Sequence, residues 1–198
     1  MTGRTIDAAK REIIITGFGG QGIVLAGQIL GKAAALGDHR HSTLIQSYGP
    51  EARGGACSAQ VIISENPIHY PDVRRPNILV CMSQSGFDSF FGLLGLGGIL
   101  LVDQDLVQRS EIDRDFFSIP STRMAEDLEK KMVANIIMVG FLTAITKAVS
   151  VDAARNAVTS SVPKGSEDLN ITAFDKGCDY GLAVLRGQQK KANAKRVA

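Results

Sequence analysis

The chain has 198 residues, enough for one large domain with a sizeable core, and its 44% hydrophobic and 21% charged content is that of a globular protein. No apolar run approaches the ~20 residues that a membrane-crossing helix needs, the first ten residues are too polar for a secretory leader, and a net charge of +2 gives no ground for a nucleic-acid partner. A cytoplasmic protein with no membrane and no nucleic-acid role is the expectation. Cys57, Cys81 and Cys178 are far apart, and His39, His41 and His69 lack a metal-binding register. The spacing therefore offers ligands neither for an iron–sulfur cluster nor for zinc, and no metal site is expected.

The first element is a short β-branched run over 11–16, Arg-Glu-Ile-Ile-Ile-Thr, of the kind a buried parallel strand shows. It stops at a glycine cluster, and a helix is expected over 23–36, closed by Gly37 and Asp38. With the next strand at 42–46 these form a βαβ unit. Further strands are expected at 57–64, 77–82 and 99–102, with a helix over 84–94 and a weaker strand at 116–119 closed by Pro120. The pairs Asn66-Pro67 and Tyr70-Pro71 bracket a hairpin-like excursion, which predicts one antiparallel pair within the sheet. The second half reads as helix: 124–149, then 152–160 capped by Asp152, then 171–185 capped by Asn170, with Pro163 between the last two.

Strands alternating with helices, then a helical half, predict an α/β protein: a three-layer α/β/α Rossmann-like domain with a mostly parallel or mixed sheet. It is expected to be a single domain over 11–187, with 1–10 and 188–198 as flexible tails. The apolar helical half would leave a hydrophobic face uncovered, so a homodimer is expected of the chain in isolation.

Gly17-Phe18-Gly19-Gly20-Gln21-Gly22 fits the Gly-x-Gly-x-x-Gly fingerprint and stands between a strand and a helix. Glycines let the backbone turn tightly and approach a phosphate, while the helix start supplies free N–H groups and a positive dipole end. Gln21 adds an amide able to donate to a phosphate or ribose oxygen. A dinucleotide site also needs an acid at the end of the second strand, about 20 residues on. None is there, because the strand ends Gln46-Ser47 and the next acid is Glu51. Three readings stay open: a phosphate-bearing ligand other than NAD, glycines that only permit close helix–sheet packing, and an NAD-binding module.

A second constellation, Ser47-Tyr48-Gly49-Pro50-Glu51-Ala52-Arg53-Gly54-Gly55, falls at the carboxyl end of the second strand, where open sheets bind ligands. Arg53 offers a planar charge for a carboxylate or phosphate, and Gly54 and Gly55 allow a close backbone approach. The alternative is an internal Glu51–Arg53 pair on a Gly-Pro turn. Asn135, within an apolar helical run, could touch a neighbouring loop or be a satisfied core amide.

The two glycine motifs, in this order and spacing, resemble the gamma subunit of the 2-oxoacid:acceptor (ferredoxin) oxidoreductases. So do Met82-Ser83-Gln84, the run from Gly97 to Asp103 and the run from Ala134 to Gly140. The likeness covers roughly 11–185, and the Pro50-to-Gly55 form is similar to the 2-oxoglutarate or 2-oxoisovalerate types, 2-oxoglutarate foremost. The resemblance implies a complex that oxidatively decarboxylates a 2-oxoacid to its acyl-coenzyme A with ferredoxin as electron acceptor. It further implies partner subunits of alpha, beta and delta (ferredoxin-like) type that carry the thiamine diphosphate and the iron–sulfur clusters, the cofactors that do the hard chemistry. This chain alone would then be inactive, contributing no catalytic residue. Its expected part is to complete the assembly and share a coenzyme A site through Gly17, Gly19, Gly20, Gln21, Gly22, Arg53, Gly54 and Gly55.

Overall fold

The computed structural model describes residues 10–48, 56–108, 112 and 114–197. Among the described residues, six strands, β1 (Lys10–Phe18), β2 (His41–Tyr48), β3 (Ala56–Ser64), β4 (Ile78–Cys81), β5 (Ile99–Asp103) and β6 (Phe117–Ile119), form one sheet in the order β2-β3-β1-β4-β5-β6. Six α-helices accompany them: α1 (Ile23–Lys32), α2 (Gln84–Phe90), α3 (Ser121–Asp127), α4 (Ala134–Thr146), α5 (Val151–Thr159) and α6 (Glu167–Val197). Among the described residues no helix is long and apolar enough to cross a membrane.

The run Ile13-Ile14-Ile15 is buried on both faces of the sheet, which is why the strand reads as continuously apolar rather than alternating. Ile13 and Ile15 join Val61, Ile63, Ile78, Val80 and Leu101 in a core shared with α1, α4, α5 and α6. Ile14, Ile62, Leu79, Leu100 and Val102 face the other way, against Phe87 of α2, Leu94, Val73 and Val107. The expected three-layer α/β/α architecture is therefore present, with one thick helical layer and one thin one.

The sheet is mixed, and its antiparallel part is not where the sequence placed it. β3 pairs antiparallel with both β1 and β2, whereas β1–β4, β4–β5 and β5–β6 are parallel. The segment with Asn66-Pro67 and Tyr70-Pro71 leads from β3 to β4 and forms no hairpin of its own. Because β3 inserts between them, β2 is not the neighbour of β1, so the simple βαβ unit expected at the start is also corrected.

The helical half departs from expectation at three points. The helix expected over 124–149 is broken: α3 ends at Asp127, Glu129 takes a left-handed φ of 57°, and a 3-10 turn, Lys131–Val133, precedes α4. Ser150, not Asp152, caps α5, accepting the Ala153 N–H at 3.3 Å, while its own hydroxyl donates to Asp38 at 2.5 Å. Asn170 lies inside the first turn of α6 and donates to the Ser166 carbonyl at 2.8 Å. The chain is paired in β1 from Lys10, and α6 is helical through 188–197.

α4 is buried along nearly its whole length, from Asn135 to Thr146. One side meets the sheet layer and the other meets α6, whose residues 170, 173, 174, 177, 178 and 181 make a buried stripe at helical spacing. Glycines bring the two helices into backbone contact: a Cβ on Gly140 would stand 2.9 Å from the Cys178 nitrogen, and one on Gly177 would stand 2.8 Å from the Ile137 carbonyl carbon. α4 is thus covered on that side by the chain's own α6.

Candidate functional site

The carboxyl ends of β1 and β4 lie side by side, and the helices that follow them depart to opposite faces of the sheet, α1 to the thick layer and α2 to the thin one. This is a topological switch point, where a crevice opens at the strand ends of an α/β sheet. Gly17 ends the buried part of β1; Phe18, Gly19 and Gly20 are exposed; Gly22 is the residue before α1. The glycine loop therefore lies across the crevice as an open surface.

Its shape is set by two turns of positive φ, 96° at Gly20 and 73° at Gly22, conformations that residues with a Cβ seldom adopt. A Cβ on Gly17 would stand 2.7 Å from Ile23 Cδ1 and collide with the Gln21 amide oxygen. Gln21 closes the loop on itself and on the sheet. Its Oε1 accepts the Phe18 N–H at 2.6 Å, its backbone N–H donates to the Phe18 carbonyl at 3.1 Å, and its Nε2 donates to the Met82 carbonyl at 3.0 Å. The Gln21 side chain thus shapes the loop from within: its oxygen and one of its two amide hydrogens are engaged.

Met82 is in turn fixed by its N–H donating to the Thr16 carbonyl at 2.8 Å. Ser83, fully buried, caps α2 by accepting the Gly86 N–H at 3.1 Å, and Gly86 packs against Thr16 too closely for any side chain. The start of α1 has no such cap, since its N-cap residue Gly22 offers no side chain. Its first-turn N–H groups have no intrahelical acceptor, which is the arrangement that favours an anion.

From the thick layer a second carboxamide reaches the loop. Asn135, 1% exposed near the start of α4, donates from Nδ2 to the Gly22 carbonyl at 3.0 Å. That carbonyl also accepts the Ala26 N–H at 3.0 Å. Asn135 Oδ1 is buried without a hydrogen-bond partner. Of the two readings open for this residue, contact with the loop backbone is the one realised. The sequence marked it as a polar residue in an apolar helix but gave no sign of the loop it meets.

The other motifs divide. Met82-Ser83 converges on the glycine loop; the run to Asp103 does not, since Asp103 is buried and spent on structure. Its Oδ2 accepts from Ser121 Oγ at 2.5 Å and from Thr122 N and Oγ1 at 2.9 Å each, holding the start of α3, while Oδ1 accepts the Asp105 N–H at 2.9 Å. Arg53, Gly54 and Gly55 lie outside the described residues. The strands on either side of them place their segment's ends, since Tyr48 is opposite Cys57, and Cys57 is opposite Gly17.

The NAD reading fails on topology as well as on composition. In a dinucleotide fold the ribose-binding acid ends the strand beside β1, whereas here β2 stands two strands away, about 10 Å across the sheet at the usual spacing. Cys57, Cys81 and Cys178 are free and buried, burial pushes each thiol above its ordinary value, and among the described residues no group of three His, Cys, Asp or Glu side chains could hold an ion.

Residues 12–180 match the pyruvate ferredoxin/flavodoxin oxidoreductase family. The chain belongs to that family. Among its members, the 2-oxoglutarate synthase subunit KorC of Methanocaldococcus jannaschii is 49% identical over 172 residues, covering 85% of this chain and 92% of that one. The crystal structure of a keto/oxoacid ferredoxin oxidoreductase gamma subunit from Geobacter sulfurreducens superposes with a TM-score of 0.77 at 38% identity, over 87% of this chain and 99% of that one. The same fold, at 19% identity and a TM-score of 0.75, makes up part of the 2-oxoglutarate:ferredoxin oxidoreductase of Magnetococcus marinus, determined with 2-oxoglutarate, coenzyme A and succinyl-CoA bound; the match covers 88% of this chain and 31% of that one. Within the pyruvate ferredoxin/flavodoxin oxidoreductase family the chain is thus of the size of a separate gamma-type subunit.

Proposed function

We propose that the chain is the gamma subunit of a 2-oxoglutarate:ferredoxin oxidoreductase complex and that its glycine loop forms part of the coenzyme A site of the assembled enzyme. The loop carries the proposal. Gly17 to Gly22 lead into an uncapped helix start at the switch point of the sheet, with Phe18 to Gly20 exposed and without the ribose acid of a dinucleotide site. An anion-favouring surface of this kind suits the phosphates of coenzyme A, and its openness calls for a partner chain to complete it. The 49% identity to a 2-oxoglutarate synthase subunit supports 2-oxoglutarate as the substrate of the whole, and the bound coenzyme A in a protein of the same fold supports the ligand.

In this reading alpha, beta and ferredoxin-like delta chains supply thiamine diphosphate and the iron–sulfur clusters. The oxidative decarboxylation takes place on them, in the cytoplasm. The gamma chain binds and orients: loop amides hold phosphate oxygens, and Arg53, followed by Gly54 and Gly55, adds a positive charge from the segment between β2 and β3, β3 starting beside the end of β1.

The test is a reconstituted complex carrying Gly20→Val or Arg53→Ala. Gly20 has a φ of 96° with open space around a Cβ, so valine distorts the loop without colliding with the core. The expected result is an intact assembly whose Michaelis constant for coenzyme A rises about tenfold or more, the effect of losing one charge-assisted contact. Unchanged coenzyme A kinetics in both variants would exclude the loop from the site.

A further inference from the structure

We infer that Asn135 is the positioning residue of the glycine loop, a latch that holds Gly22 and the first turn of α1 in the orientation from which the loop amides meet their ligand. The inference rests on the coenzyme A reading for the identity of the ligand, but the latch itself follows from geometry.

Three observations converge on Gly22. Its carbonyl takes two donors at once, the Ala26 N–H of the helix it starts and the Nδ2 of Asn135, both at 3.0 Å. Its φ of 73° is left-handed, so the chain turns sharply there, and a Cβ at that position would stand 2.9 Å from Asn135 Cγ. The carboxamide therefore fills the space a side chain at 22 would take. Gln21 ties the strand side of the loop to Met82; Asn135 ties the helix side to α4. The loop is gripped from both flanks, while its exposed middle, Phe18 to Gly20, is left for contact.

The unpartnered Oδ1 shows that Asn135 is not a packing choice. A buried carboxamide with an orphan acceptor is unfavourable, and an apolar side chain would avoid that cost. What asparagine adds is the Nδ2 donor to Gly22. Were the residue merely core, Asn135→Leu would leave the mobility of the loop unchanged; as the latch, it frees the loop while the fold stands.

The experiment compares wild type, Asn135→Leu, Asn135→Asp and Gly20→Val in the reconstituted complex. Hydrogen–deuterium exchange of the peptide spanning 18–27 reads the loop, and steady-state kinetics in coenzyme A reads the site. Asn135→Leu is expected to leave assembly and thermal stability intact, to speed exchange of the Ala26 amide about tenfold, the factor for one lost hydrogen bond, and to raise the Michaelis constant for coenzyme A several-fold with kcat at saturation within about twofold. Asn135→Asp keeps the shape but opposes an oxygen to the Gly22 carbonyl, and is expected to act at least as strongly. Wild-type exchange in Asn135→Leu overturns the latch. If Gly20→Val shifts coenzyme A kinetics while Asn135→Leu changes neither readout, the latch is wrong and the coenzyme A reading stands. If Asn135→Leu loosens the loop but no variant moves the coenzyme A constant, the latch stands and the ligand assignment falls.

Discussion

Replacing Gly177 by alanine puts a single methyl group between two helices that already touch backbone to backbone. The new Cβ would lie 2.8 Å from the carbonyl carbon of Ile137 and 3.1 Å from its Cα, with the carbonyl oxygen closer still. The obstacle is main chain in a helix buried from Asn135 to Thr146, so it cannot rotate aside as a side-chain tip would. Alanine gains about 1 kcal/mol of helix propensity over glycine, while overpacking a rigid contact costs roughly 3 kcal/mol when helices must move apart. The net loss is about 2 kcal/mol, or a Tm lower by about 4–8 °C for a domain of this size. Gly187 is the internal control: it lies in the same helix, is exposed, and a methyl added there would have nothing within 4 Å. Gly187→Ala should keep the propensity gain alone and raise Tm by about 1–4 °C. Thermal unfolding of the purified variants by circular dichroism measures both. Shifts of the same sign, or a Gly177→Ala protein as stable as wild type, would refute the account of how α4 and α6 pack.

Two further outcomes follow from buried groups. Asp103→Asn places an amide donor among the Ser121, Thr122 and Asp105 donors, and should lower stability by about 2–3 kcal/mol in urea unfolding; a loss under about 0.5 kcal/mol would contradict the anchoring of α3. Cys81 is held neutral, first by burial and then by the nearby Asp88, so its thiol titrates above the ordinary value of 9.0. Above about pH 9 the unfolded chain gives up this proton while the folded chain keeps it, so stability contributed below that pH is lost as pH rises. The slope of unfolding free energy against pH above 9 should be shallower in Cys81→Ala by up to one proton, and identical slopes would show that the thiol ionises alike in both states.

The strands were legible because Ile13 to Ile15 and most residues of the runs at 57–64, 77–82 and 99–102 are apolar and buried. Their pairing was not. Whether β3 lies beside β1, and in which direction, is decided by contacts such as Gly17 opposite Cys57, which leave no trace in either local pattern. The break between α3 and α4 was hidden for a different reason: Glu126, Asp127, Glu129, Lys130 and Lys131 are ordinary helix residues, and nothing marks Glu129 as the one that turns left-handed. The glycine loop declared itself by spacing and context, and the missing acid narrowed its meaning. Its anchors did not, since a carboxamide 113 residues away belongs to the site only once the chain has folded.

That separation has a temporal consequence. The loop is written near the start of the chain, yet the carbonyl that receives Gln21 comes 61 residues later and the donor to Gly22 comes 113 residues later. A nascent or partly unfolded chain holds the six-residue motif without its working shape. In the proposed complex the loop is then a certificate of completion: a partner docking against it would meet a chain already folded through α4.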